Sequence, residues 1–474
     1  MDSIDGLATI LKAGVGRWEE VVFQWACDLA QKVAAYLLQR IDQDLMKSRE
    51  AGLRVEGFRE RWVTTLFGDF RIKRRLYCDG EGGSRFLLDE AMGLRKRSQA
   101  SPKVEELANF VSTLLPFGKC EQLLRALLPD GLSHTTIHRL VGRTVDPHIE
   151  EEERELAELF EDGVLPESEN KVVPHLMVEA DGTYVALQRE KERRTEVKIG
   201  IAYEGWQAAG KGRYGLKEKT SYTGIMDGER FWDGFSLALA KKYDLSHVGQ
   251  VVVGSDGAEW AKQGADVFGG LYQLDRFHLL RAIYRGIGSD MAGEVYRACT
   301  AGDVDKADAI LRQAHERADG EEADSIAELR GYLLNNAHGL RDYRLVTGYE
   351  DGLRGLGAME SNVDKLIANR MKKRGMSWTK RGANRMARLI NLKQQGQLHL
   401  WANHRGEKHR PRPEAPPPSP QRINVNETGA WLQAVLPAIT GPHANRPWAQ
   451  VLKDIARQPG KTIKHNNRIP PTRR

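Results

Sequence analysis

The sequence predicts a multidomain α+β protein in which an α/β core, broken by an all-helical insertion, follows a helical region and a β-hairpin. Three observations predict it. At 474 residues the chain exceeds one ordinary domain of roughly 100–200 residues. Apart from a β-rich hairpin at 61–78, apolar spacing is helical to about residue 161, then becomes short β-rich runs alternating with helical ones from residue 171 to residue 274. Residues 277–345 carry no strand signal and read as helices interrupted at Gly286 and at 318–322.

Composition bounds the function. With 41% hydrophobic and 29% charged residues the chain has a soluble globular composition. No apolar run approaches the roughly 18–20 residues that cross a bilayer, and the acidic, helix-like start is unlike a signal peptide, so the expectation is a cytoplasmic protein with no membrane partner. Cys27, Cys78, Cys120 and Cys299 are scattered, which excludes a zinc pair and a disulfide framework. Residues 403–474 hold thirteen Lys and Arg against four Asp and Glu while the whole chain is only +6, so the basicity is segmental. A basic end suits a polyanion, because phosphates neutralised by cations release condensed counterions, although many such tails only solubilise.

Residues 1–60 form the N-terminal helical region, a long helix from Ile4 to about Lys47 with Val21, Val22, Trp25, Leu29, Val33, Tyr36, Leu37 and Ile41 on its apolar stripe. Its heptads are not sustained, which favours intramolecular core over a dimer seam. Residues 61–165 are read as a DNA-binding region. Within it, 61–78 predict a basic hairpin turning at Gly68-Asp69, because glycine accepts positive φ. Helices at 102–115 and 118–128, the break Pro129-Asp130-Gly131 and a further helix from Ser133 resemble a helix-turn-helix. Such a unit would present His134, Thr135, Thr136, His138 and Arg139 to a major groove; an ordinary helical hairpin has the same spacing. An acidic helix at 149–161 closes the region.

Residues 171–276 form the first part of the core, with strands at 175–180, 183–188, 194–203, 250–255 and 271–274 and helices at 231–243 and 258–267. The helical insertion takes 277–349, the rest of the core 350–402, and a Pro-rich basic linker and tail 403–474.

Candidate chemistry lies in three carboxylates. Asp181 ends HLMVEAD before a glycine, and Asp256 ends VVVGSD before another. Each is read as leaving the core at a strand end, and two such ends side by side would bring the carboxylates together. Paired carboxylates repel, and a divalent cation with oxygen ligands relieves that. Glu360, in GLGAMESNVDKLI, opens a helix followed by Lys365, Arg370, Lys372, Lys373, Arg374, Lys380, Arg381, Arg385 and Arg388, an acid beside a phosphate-binding track. Taken singly, an Asp-Gly is commonly only a turn and a helix-start Glu only complements the dipole.

In this order and context Asp181, Asp256 and Glu360 resemble the DDE triad of bacterial insertion-sequence transposases of the ISLre type, related to the Mutator-like superfamily, from the N-terminal helix to about residue 400. The resemblance implies a ribonuclease-H-like core with the first Asp on the first strand, the second after the fourth, and the Glu on a late helix behind a helical insertion. It implies two Mg2+ (or Mn2+) ions held by Asp181, Asp256 and Glu360, cleavage and strand transfer of double-stranded DNA at element ends, and a homo-oligomer on DNA. Asp275 and His278 are similar to the family's pair after the second Asp and would shape the active site; an N-cap by Asp275 and a structural hydrogen bond by His278 are the alternatives. Trp378 is similar to the aromatic after the Glu, which would stack on a base, but its spacing departs from the family's and core burial serves equally.

Two phosphate-loop look-alikes, 205–211 (GWQAAGK) and 210–215 (GKGRYG), lack the Ser/Thr after Lys211 and a following amphipathic helix, so no nucleotide partner is expected. Alternatives to the transposase are another ribonuclease-H-like nuclease or resolvase, and a non-catalytic helix-turn-helix regulator.

Overall fold

A computed structural model describes residues 15–347, 353–373 and 375–402. The chain divides into two compact units, one up to Ile149 and again from Leu392, the other Glu150–Asn391. Residues 403–474 and the start of the expected first helix lie outside the described residues.

In the first unit, helix α1 (Trp18–Lys47) is followed by an antiparallel sheet of β1 (Arg54–Thr65), β2 (Gly68–Cys78) and the short β3 (Ser84–Arg85). Thr65 pairs with Gly68, so the hairpin turns at Leu66-Phe67 and not at Gly68-Asp69. Gly68 has φ +102°, and a Cβ there would come within 2.8 Å of Gln31 and 2.9 Å of Asp130; the glycine serves close packing at the first residue of β2. Against Val63, Phe70 and Ile72, α1 packs Ala34, Ala35 and Leu38. The stripe expected to be core is instead largely outward: Leu29, Val33, Tyr36, Leu37 and Ile41 are exposed, Tyr36 by 62%. The small residues between the large ones let α1 approach the sheet, a feature that hydrophobic spacing alone does not weigh.

After α2 (Leu87–Ala91) come α3 (Pro102–Ser112), capped by Ser101 accepting from the Val104 N–H, then α4 (Phe117–Leu127) and α5 (His134–Phe160). Val104, Ala108, Cys120, Leu124, Ile137 and Leu140 form their core. The expected helices from Ser133 and at 149–161 are one, running through Pro147.

The second unit is built on a mixed sheet of β4 (His175–Ala186), β5 (Arg194–Tyr203), β8 (Thr220–Gly224), β9 (Gln250–Ser255) and β10 (Leu271–Leu274), in the order β10-β9-β4-β5-β8. Strands β4, β5 and β8 run antiparallel in sequence, while β9 and β10 lie parallel to β4. The two expected strands 175–180 and 183–188 are a single strand, and β8 was not expected. Residues 206–216 form the separate hairpin of β6 (Trp206–Gly210) and β7 (Arg213–Leu216), so the phosphate-loop look-alikes are β-structure with no helix behind them.

Because side chains alternate along a strand, each strand contributes to two faces. One face is covered by α6 (Gly228–Ala240) and α7 (Glu259–Phe268), which pack Phe231, Trp232, Phe235, Leu239 and Ala261 on Val178, Ala180, Ala202 and Val253. The helical block α8 (Arg276–Ala301), α9 (Val304–His315), α10 (Glu321–Asn335), α11 (Ala337–Leu340) and α12 (Arg344–Thr347) buries Leu279, Ile283, Val295, Leu311, Leu329 and Leu333 with Tyr272 and Leu274 of β10. The other face meets α13 (Met359–Val363), a π-helical turn (Asp364–Ala368), α14 (Asn369–Met371) and α15 (Lys380–Gln394). There Ser221 and Thr223 of β8 donate to Asn391 Oδ1 and to the Ala387 carbonyl at 2.8 and 2.9 Å. The last described helix, α16 (Leu398–Ala402), belongs to the first unit.

Candidate active site

Strand register sets the site. Ala180 of β4 pairs with Ser255 of β9, and Ser255 pairs with Leu274 of β10; these are the last pairs of the parallel rows. The next residue along each chain is an aspartate: Asp181, Asp256 and Asp275. Asp181 is not at a strand end, since β4 continues to Ala186 against β5 with Asp181 opposite Ile199. It is at the point where its parallel neighbour stops, which leaves that flank of β4 open. Gly182 does not turn the chain either; a Cβ there would come within 2.2 Å of Glu196 Oε1, so the glycine makes room for Glu196 on β5.

Asp181, Asp256, Asp275 and His278 are all half-buried and feel one another's charge. Burial, and then the nearby Asp256 carboxylate, push Asp181 up to about 6. The Asp275 carboxylate accepts from the His278 backbone N–H at 2.9 Å, and its Oδ1 lies 2.9 Å from the ring Nδ1, capping α8. Although burial opposes it, these His278 hydrogen bonds hold Asp275 below the usual carboxylate range. The same contact, with the charges of Asp275, Asp181 and Asp256, raises His278. When protonated, His278 would offset part of the carboxylate repulsion. Asp256 accepts at Oδ1 from the Ala258 N–H at 2.9 Å, and its carbonyl accepts from the Tyr332 hydroxyl of α10 at 2.9 Å, so the helical block holds this turn.

Glu360 is exposed on α13. Among the described residues no three His, Cys, Asp or Glu side chains are grouped so as to hold a metal ion. Glu360 is linked to the aspartates through its helix. Glu179, two residues before Asp181 and hence on the same face of β4, accepts from the backbone N–H groups of Gly357, Ala358 and Met359 at 3.1, 3.2 and 3.1 Å and from the Tyr203 hydroxyl at 2.5 Å. Burial raises its pKa and these donors pull it back. Sequence reading passed over Glu179 because it sits in an apolar run and its backbone partners are about 180 residues away.

The basic residues after Glu360 separate. Lys365, Lys372, Lys373, Lys380 and Arg381 are exposed and Arg385 is half-buried. Lys372 donates to Thr183 Oγ1 at 2.9 Å and Lys373 pairs with Asp364. Lys219 of the β7–β8 link donates to Asn362 Oδ1 at 3.0 Å, its pKa lowered by burial and by Lys365. Arg370, expected on the phosphate track, is instead buried at 4% with its guanidinium over Trp378, and Arg388 is buried against Glu152 and Tyr222. Arg370 on α14 and Arg388 on α15 each face inward from their own segment. Trp378 is 8% exposed and donates its indole N–H to the Met371 carbonyl, so it offers no open face for a base. Arg374 lies outside the described residues. In the first unit His134, Thr135, His138 and Arg139 are exposed and Thr136 half-buried; His134 contacts Glu121 through its backbone N–H and ring.

The profile of one protein family matches residues 15–409, most of the chain. The chain belongs to the uncharacterised protein family UPF0236. Another UPF0236 protein, described as lying in the vanSb 3′ region of Streptococcus gallolyticus, is 27% identical over 382 residues, covering 77% of this chain and 80% of that one. A chain of the Drosophila P element transposase strand transfer complex aligns over 78% of this chain and 93% of its own at 11% identity, with a TM-score of 0.24 that is too low to relate the folds. No helix among the described residues of this UPF0236 member is long and apolar enough to cross a membrane.

Proposed function

We propose that this chain is a DDE transposase that cuts and joins DNA at the ends of an insertion sequence, working from a ribonuclease-H-like core. One observation carries the reading. Asp181 and Asp256 follow the last paired row of adjacent parallel strands, and the helix bearing Glu360 is fastened to that same strand. A sheet of three antiparallel strands followed by two parallel ones, with the first strand central and a helical block before the last acid, supports it.

Asp181 and Asp256 suit a divalent cation: both are half-buried, mutually repelling, oxygen-only donors. Two Mg2+ or Mn2+ ions held by Asp181, Asp256 and Glu360 would supply activation of water or a 3′-hydroxyl and stabilisation of the leaving oxygen. The chain's own part is to hold the carboxylates, balance them through His278, and offer Lys219, Lys365 and Lys372 to the phosphates. Double-stranded DNA is the partner, bound by a homo-oligomer.

Purified protein with Mg2+ or Mn2+ is expected to join a precut donor end with a free 3′-hydroxyl to an unrelated duplex without ATP. Asp181→Ala, Asp256→Ala and Glu360→Ala should each lower joining by at least 100-fold while DNA affinity stays within a few-fold. Cutting without joining under every metal condition would favour a nuclease, and a Tyr- or Ser-linked DNA adduct would overturn the mechanism.

A further inference from the structure

We propose that Glu179 is the positioning residue of this site, a buried carboxylate that sets the helix of Glu360 against the strand of Asp181. The inference rests on the DDE reading for the role of Glu360, but its structural part stands alone.

Helix α13 has no side-chain cap of its own, so its first backbone N–H groups must find an acceptor elsewhere. The N–H groups of the cap residue Ala358 and of Met359, joined by that of Gly357 just before them, find it on the sheet. Glu179 is 2% exposed, and its two oxygens take the N–H groups of Gly357, Ala358 and Met359, while Tyr203 of β5 donates from the other side. The third strand contributes by omission. At Gly254 of β9, opposite Glu179, a Cβ would stand 2.8 Å from Leu356 Cδ1 and 3.3 Å from Glu179 Cγ. Three adjacent strands thus shape one socket for the residues immediately before Glu360.

Burying a carboxylate is costly unless its oxygens are satisfied, and a neutral side chain could cap a helix with less desolvation. A carboxylate adds two acceptor oxygens held at a fixed separation, able to grip three successive N–H groups and fix the direction from which the helix leaves the sheet. Because Glu179 and Asp181 are two residues apart on one strand face, the grip fixes the start of the Glu360 helix relative to Asp181. The π-helical turn at Asp364–Ala368 follows directly, a local irregularity of the kind found beside functional sites. Supporting groups of this type keep reacting side chains within fractions of an ångström of a working arrangement.

The test uses the full chain in four forms: wild type, Glu179→Gln, Tyr203→Phe and Gly254→Ala. Gln keeps the shape but presents an N–H2 where an acceptor is needed. Hydrogen exchange at Gly357–Met359 should quicken by at least tenfold in Glu179→Gln. Mn2+ affinity measured by calorimetry should fall by about tenfold, and the Mn2+ needed for half-maximal joining should rise in step. Tyr203→Phe removes the fourth donor but leaves the backbone grip, so it should keep Mn2+ affinity within about twofold. Gly254→Ala, which pushes Leu356 and Glu179 from the opposite strand, should repeat the Glu179→Gln result if that variant does not fold. Unchanged exchange and unchanged Mn2+ affinity in folded Glu179→Gln would overturn the proposal. So would equal losses of Mn2+ affinity in Glu179→Gln and Tyr203→Phe, which would mark Glu179 as a buried group that merely needs partners. Retained joining by Asp181→Ala would instead remove the DDE reading, and the exchange result would still report on the grip.

Discussion

A half-buried carboxylate beside another carries a cost that ionisation exposes. Asp181 is raised from its ordinary value near 3.8 to about 6, by burial first and Asp256 second. Below 3.8 the group is protonated whether the chain is folded or not, and it contributes no pH dependence. Between 3.8 and about 6 the unfolded chain releases the proton while the folded one keeps it, so stability falls as pH rises; above that window the loss is complete, at most about 3 kcal/mol. Asp181→Asn removes the charge and should therefore stabilise the metal-free protein at pH 7.5 by up to about 2 kcal/mol, with little gain at pH 4. Denaturant unfolding at the two pH values with chelator present measures this. A variant less stable than wild type at pH 7.5 would mean that Asp181 is not held under electrostatic strain.

At the scale of elements, the central sheet separates packing from chemistry. Gly200 of β5 belongs to the packing face, where a Cβ would stand 2.5 Å from Phe235 and 2.9 Å from Phe231 of α6. Gly200→Ala should cost about 1–3 kcal/mol by overpacking, yet leave Mn2+ affinity within about twofold, because Glu179, Asp181 and α13 lie on the opposite face. Urea unfolding and calorimetry test the two halves separately, and a matching loss of Mn2+ affinity would show that the faces are coupled. The same division explains what the sequence disclosed. Strands β9 and β10 were legible because each is an apolar run next to a glycine or an aspartate. β8 was not, because Ser221 and Thr223 look like loop residues until α15 supplies their partners. Asp181 and Asp256 were singled out through their Asp-Gly setting, although Gly182 lies within β4 and makes room for Glu196 where a turn would have ended the strand. Glu179 was invisible, since only the tertiary fold brings it to the N–H groups of Gly357–Met359.

Over the whole molecule, the two units offer different features, and on the proposed reading the protein needs grip on DNA as well as chemistry. The second unit has the carboxylates. The first has a hairpin face on which Phe58 and Trp62 are exposed beside exposed Lys73 and Arg71, with Lys73 Nζ 4.8 Å from the Phe58 ring and the Arg71 guanidinium 5.0 Å from the Trp62 ring. Aromatic rings interleaved with cations suit phosphate and sugar contacts. Arg71 shares its charge with Glu60 at 2.7 Å, so Lys73 is the freer of the two to replace counterions on DNA. Lys73→Ala should then reduce the slope of log affinity against log salt by about 0.9, weakening binding similarly on end and random duplexes, since a phosphate contact reads no base. Asp181→Ala should leave that slope unchanged, because an aspartate neutralises no phosphate. The measurement is fluorescence anisotropy of a labelled duplex at four salt concentrations with calcium present and full-length protein throughout. An unchanged slope in Lys73→Ala would take the hairpin off the DNA and move the phosphate contacts to the cations around Glu360.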